Sequence, residues 1–207
     1  MFRLFCIFLY SVIFSTYAVS IDNYKCHSSN NIMDGWEFLQ NGSKIDMVKR
    51  TFNMSANISC MSSTTIGKDN STHTALQLVC YYNWSSSSWM NGTQNLTAYE
   101  NGLGKCYFMN TTYTLGPVNT SYEFLYVEQN CTVVNVTYLY ANTTGASPES
   151  VQSETKYSSC ALWVRDNDLG SNHTCCEEVF KNNCTGQIYN VYNRTQCDSL
   201  NNNPNKS

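Results

Sequence analysis

Cysteine most narrows what this chain can fold into. Eleven occur in 207 residues, and the first, Cys6, lies in the opening stretch "MFRLFCIFLYSVIFSTYAVS". That stretch carries one charge at Arg3, then an apolar run, then small residues at Ala18 and Ser20. It has the pattern of a secretory signal peptide cut after Ser20. We read residues 1–20 as the signal peptide and 21–207 as one secreted domain. The cysteines that remain are Cys26, Cys60, Cys80, Cys106, Cys131, Cys160, Cys175, Cys176, Cys184 and Cys197. An even number in an oxidising compartment reads as five disulfides. Zinc does not fit, because Cys175 and Cys176 are adjacent and no Cys-x-x-Cys occurs, so we expect neither metal nor cofactor.

The formal net charge is only −3. Without basic clusters there is no electrostatic reason to expect nucleic acid or an anionic membrane as partner. No later apolar run approaches the roughly 18 residues that cross a bilayer. An extracellular, soluble monomer is the expectation.

Short-period alternation dominates from residue 45 to 165. It predicts strands at 45–53, 57–66, 74–83, 87–99, 104–111, 120–128, 131–140 and 158–165, with a loop at 141–157 that holds Pro148. In "NNIMDGWEFLQNG", Ile32, Trp36 and Leu39 fall at helical spacing, predicting a short helix over 31–40. Thr174 and Glu177 form a capping-box pattern that opens a second helix, and the order of the tail from 185 depends on Cys197. A helix, eight antiparallel strands and a flanking C-terminal helix describe an all-β up-and-down barrel, which can hold one small ligand. The rival is an immunoglobulin-like sandwich, but that frame wants a tyrosine two residues before its second cysteine, and Gln129 stands there before Cys131.

Asn-x-Ser/Thr occurs sixteen times. We take Asn41, Asn53, Asn57, Asn70, Asn83, Asn91, Asn95, Asn110, Asn119, Asn135, Asn142, Asn172, Asn193 and Asn205 as glycan acceptors. Asn130 and Asn183 are set apart because their middle residues, Cys131 and Cys184, can be tied into disulfides first. A glycan cannot fit inside a barrel, so an occupied sequon marks an outward residue and turns its strand neighbours inward. Asn135 then turns Thr132, Val134, Val136 and Tyr138 inward; Asn53 does so for Val48, Arg50 and Phe52; Asn110 for Tyr107 and Met109, leaving Cys106 outward. At Asn83 the same rule turns Cys80 inward. That conflicts with pairing Cys80 to Cys106, and a bulge, an empty sequon or a wrong pairing would each resolve it.

Six features in order carry a resemblance: "DGW" in the first helix, "VKRTF" closing the first strand, Cys131 opening the seventh, "CALWV" in the eighth, Cys175–Cys176 at the start of the second helix, and a final Cys197. Together they resemble the tick salivary lipocalins, the histamine-binding protein family. The resemblance implies a lipocalin barrel and the disulfides Cys26–Cys176, Cys60–Cys197 and Cys131–Cys175. Proximity of the leftovers suggests Cys80–Cys106 and Cys160–Cys184. By family position Ala161 and Trp163 look into the cavity, with Arg165 at its rim. Amine-binding members carry an acidic residue where this chain has Thr132 and a Glu where it has Ala161, so both acids are missing.

The candidate ligand-binding residues are therefore Arg50, Phe52, Tyr107, Val134, Tyr138, Ala161, Trp163 and Arg165. Trp36 is expected to plug the barrel floor, as the tryptophan near the start of lipocalins does, although it could touch ligand. Arg50 either pairs a ligand carboxylate or stacks at the closed end. Nothing assembles a nucleophile, a base and an orienting acid, so no enzyme is expected. The resemblance implies a secreted binder of a host mediator, either an eicosanoid such as a leukotriene or an amine such as histamine or serotonin. The wall composition favours the fatty-acid-derived class. The alternatives are a loop-mediated inhibitor of a host defence protein such as complement, and a glycan-coated decoy.

Overall fold

A computed structural model describes residues 26, 34–54, 58–100, 106–113, 119–139 and 157–201. Residues 1–20, read above as a signal peptide, the first part of the 31–40 helix, residues 141–156 of the predicted loop, Asn57, Asn142 and Asn205 lie outside the described residues. So do the side chains of Tyr107, Asn119 and Tyr138.

The chain runs α1 (Gly35–Phe38), β1 (Lys44–Arg50), β2 (Ile58–Asp69), β3 (Thr74–Asn83), β4 (Ser88–Glu100), β5 (Cys106–Tyr113), β6 (Asn119–Val127), β7 (Cys131–Leu139), β8 (Cys160–Arg165), α2 (Thr174–Asn183), β9 (Tyr189–Asn190) and α3 (Arg194–Asn201). Strands β2 to β8 pair in sequence order, β8 pairs with β1, and β1 returns to β2. Every pairing between these strands is antiparallel, so the sheet closes into the eight-stranded lipocalin barrel.

Closure between β1 and β2 is only partial. Lys44 to Asp46 pair with Thr64 to Ser62, and beyond that the strands part. The C-terminal segment fills the gap: β9 pairs with Lys49 and Arg50, Val191 N–H donates to the Val48 carbonyl, and Cys60 N–H donates to the Val191 carbonyl. Tyr189 and Asn190 thus form a ninth strand that the sequence pattern did not reveal.

Two cores share the wall of β7 and β8. Val134, Val136, Ala161 and Trp163 face inward with Ile45, Met47 and Phe124. Cys131, Val133, Cys160, Leu162 and Val164 face outward beneath Cys176, Val179 and Phe180 of α2. Burial on both faces explains why "CALWV" is apolar at every position rather than alternating. A bulge between Met47 and Lys49 resets the inward phase of β1, so Val48 packs in the outer core instead of the cavity, while Arg50 stays on the inner side.

The disulfides are Cys26–Cys175, Cys60–Cys197, Cys131–Cys176 and Cys160–Cys184. The partners of Cys175 and Cys176 are exchanged relative to the family plan. Successive helical residues leave the axis about 100° apart, and it is Cys176 that lies in the outer core against β7. The Cys80–Cys106 bond is also corrected. Cys80 is on the outer face of β3 opposite Asn91, whereas Cys106 is in the inner core opposite Glu100, nine residues further along β4, or about 30 Å of strand. Asn83 misled the facing argument because it ends its strand, where its side chain accepts from Ser85 N–H in the turn. Tyr82, its neighbour, is buried outside the barrel with Cys60 and Cys197.

Candidate functional site: the barrel chamber

The floor of the barrel is made by α1. Asp34 caps it, accepting from Trp36 N–H at 2.7 Å, and the same oxygen accepts from Cys106 N–H at 3.1 Å, which fastens the helix to β5. Gly35 is required by proximity, since a Cβ there would fall 2.7 Å from the Phe124 ring. At the other end of this single turn, carbonyls have no helical partners and two cations supply them. Lys68 donates to the Trp36 carbonyl at 2.7 Å with its ammonium 4.2 Å from the indole centroid. Arg165 donates to the Phe38 carbonyl and the Gln129 carbonyl, each at 2.6 Å, and to Ser43 Oγ, with its guanidinium 4.7 Å from the Phe38 ring.

These contacts correct the expectation for Arg165 and locate Trp36 within the floor helix. Arg165 stands at the closed end with its donors committed to the floor, not at the rim of the cavity. Trp36 is buried beneath the β2–β3 turn, where its indole N–H donates to Asn70 at 3.2 Å; Phe38 and Leu39 are the floor residues that face the chamber.

Above the floor lies a chamber that gives the centre of a water molecule about 130 Å³ to move in. Its wall is largely apolar: Ile45, Met47, Met61, Val79, Leu96, Met109, Phe124, Val134, Val136 and Trp163, with Phe52 and Met54 from the segment after β1. The polar lining consists of Ser63, Gln77, Gln94, Thr120, Tyr122 and Thr132. No Asp, Glu, Lys, Arg or His lines it among the described residues.

Of the candidates expected from the sequence, Phe52, Val134 and Trp163 lie on the chamber wall. Ala161 is fully buried in the same inner core without lining the chamber, and Thr132 lines it with its hydroxyl donated to the Tyr126 carbonyl at 2.8 Å. Arg50 is 4% exposed at the end of β1 away from the floor, its guanidinium 5.9 Å from the rings of Phe52 and Tyr189. It is stacked, at the opposite end of the barrel from the one expected, and is off the chamber wall.

Sequence reasoning missed Gln77, Gln94 and Ser63. A signal existed for Gln94, because an outward Asn95 turns both Gln94 and Leu96 inward. Gln77 was hidden by the false phase that Asn83 imposed on β3. The polar wall is ordered: Gln77 accepts a close hydrogen bond from Ser63 Oγ and donates to Thr65 Oγ1 at 2.7 Å.

Residues 23–199 match the model of the tick histamine-binding protein family. The chain belongs to that family. None of the curated proteins matches it in sequence. Among solved structures it is similar to Japanin from Rhipicephalus appendiculatus bound to cholesterol, at 10% identity and a TM-score of 0.49, over 76% of this chain and 97% of that one. Within this histamine-binding family member, the chamber is where the fold encloses space, and neither of the two positions named for an acid carries one: Thr132 and Ala161 stand there.

Sequon residues distribute unevenly around the barrel. Asn91 and Asn95 are exposed on the outer face of β4. Asn135 is half-buried, its side-chain N–H donating to Glu123, which also accepts from Tyr157. The N-cap of α2 is His173, without a side-chain capping bond; Asn172 before it accepts from Thr174 N–H at 3.0 Å, and Glu177, expected in the capping box, pairs with Lys49.

Proposed function

We propose that the protein is a secreted carrier, one lipocalin domain over residues 21–207 behind a signal peptide, that sequesters a small fatty-acid-derived mediator of the host in its barrel. The observation that carries this reading is the uncharged lining of the chamber. A protonated amine drawn from water without a carboxylate partner loses several kcal/mol, while an aromatic wall returns roughly 0.5–2 kcal/mol per cation–π contact. An alkyl or polyene chain faces no such penalty, and burying it contributes about 0.8 kcal/mol per methylene. The acid head of such a ligand belongs at the end of the barrel away from α1, where Arg50 borders Phe52 on the wall. Binding and burial account for the function without catalysis, and glycans on the exposed sequons solubilise the outer face.

Calorimetry on the secreted protein with arachidonic acid and with histamine tests the reading. Micromolar or tighter binding of the acid, with no heat from histamine, is expected. Tight binding of histamine with none of the acid overturns it.

A further inference from the structure

We propose that the chamber selects a ligand carrying a hydroxyl group midway along an otherwise apolar body, and that Gln94 is the acceptor that reads it. This deepens the carrier reading above and rests on it.

Gln94 is the midpoint residue of β4, and it stands directly opposite Gln77 of β3. Both side chains point inward and both line the chamber. Their states differ. Gln77, fully buried, is held by Ser63 on its oxygen and by Thr65 on its nitrogen. Gln94 is 6% exposed, and its carboxamide oxygen is buried with no hydrogen-bond partner among the described residues. A buried carbonyl oxygen left without a donor is costly and rare in native interiors. The terminal torsion of glutamine is broad, so the group can turn toward whatever fills the space beside it.

An unmet acceptor in an apolar wall specifies the group that meets it. Ligand sites fix orientation in this way, with a few polar groups set among hydrophobic ones. The partner must be a donor. An ammonium is disfavoured because no carboxylate among the described residues lines the chamber to neutralise it. An amide N–H would bring a carbonyl that needs a second donor, and the hydroxyl of Thr132 is already given to Tyr126. A hydroxyl satisfies Gln94 and adds no charge. Because Gln94 lies at mid-strand, the hydroxyl belongs in the middle of the buried body rather than at its head.

The test compares stearic acid with its mid-chain hydroxy derivative, by calorimetry, on the full secreted protein and on Gln94→Leu. The wild type is expected to bind the hydroxy acid about tenfold or more tightly than stearic acid. Gln94→Leu should erase that preference, weakening the hydroxy acid and leaving stearic acid as tight or tighter. Equal affinity of the wild type for the two acids overturns the inference, whether or not the variant folds, and so does a preference that survives in Gln94→Leu. If stearic acid binds but is not discriminated, the carrier reading stands and this inference falls. If neither acid binds, the carrier reading itself falls.

Discussion

The two ends of the barrel each hold an arginine from a strand of the same wall, and the arginines do opposite things. At the closed end Arg165 spends its donors on the carbonyls of Phe38 and Gln129 and on Ser43, so the charge ties three chain segments together. At the end away from the floor, the Arg50 guanidinium is 5.9 Å from the rings of Phe52, which lines the chamber, and Tyr189. The lesson is that a strand-borne arginine is assigned by what its end of the barrel still lacks. A floor made from a single helical turn lacks donors for its carbonyls; at the other end of β1 the cation lies beside the rings of Phe52 and Tyr189.

Removing the tie at the open end should have the largest effect. Cys60→Ser with Cys197→Ser frees a long loop, and the entropic expectation is a loss of about 4–5 kcal/mol in chemical denaturation. Hydrogen exchange should rise first in residues 187–201. Equal protection there in the double variant would show that β9 holds the mouth without the disulfide.

Arg165→Ala tests the closed end. Loss of charge-assisted bonds to the floor should cost about 2–3 kcal/mol in thermal unfolding while leaving ligand affinity within about twofold. A large fall in affinity with unchanged stability would reverse the roles given to the two arginines.

The closed end also carries a titration. Asp46 is buried beside Lys44 and Asp166, and burial pushes its carboxyl up to about 7 from an ordinary 3.8. The folded state therefore keeps a proton that the unfolded chain releases near pH 4. Stability should decline as pH rises from about 4 to about 7, on the order of 4 kcal/mol in all, and Asp46→Asn should flatten the slope. Asp166, held below its ordinary range by its hydrogen bond to Lys44, acts in the opposite sense, and its contribution disappears only below about pH 4. A stability that climbs between pH 4 and 7 would contradict the placement of Asp46.

Arg50→Ala should be the mildest of the four. We expect about tenfold weaker binding of a fatty acid and little change for the corresponding alcohol, read by calorimetry. Equal losses for acid and alcohol would make Arg50 a packing residue like its counterpart at the floor.

Period-two alternation made most of the strands legible, because they bury one face, while β7 and β8, buried on both, read as apolar runs; the α2 start was legible in the run Cys175, Cys176, Val179 and Phe180. What stayed hidden was set by distant parts of the chain. The phase of β1 changes at the Met47–Lys49 bulge, which exists only because β8 pairs across it. Cys175 and Cys176 are equivalent as letters and differ only in the side of α2 from which they leave. Arg165 and Arg50 could not be assigned to an end until the direction of the barrel relative to α1 was known. The chamber suffered least where a sequon sat inside a strand, as at Asn135, and most where one sat at a strand end, as at Asn83.

The segment that fills the gap between β1 and β2 comes from the far end of the chain, and this orders events in the life of the protein. Lys49 and Arg50 wait for Tyr189 and Asn190, and Cys60 waits for Val191 and Cys197, partners about 140 positions later. During synthesis the strands β1 and β2 emerge first, so their exposed edge must be kept from other chains until residues 189–197 have emerged. A chain stopped before residue 187 would hold all eight strands and still present that open seam. The eight strands of the barrel would then be complete in sequence and still unsealed for want of a two-residue strand.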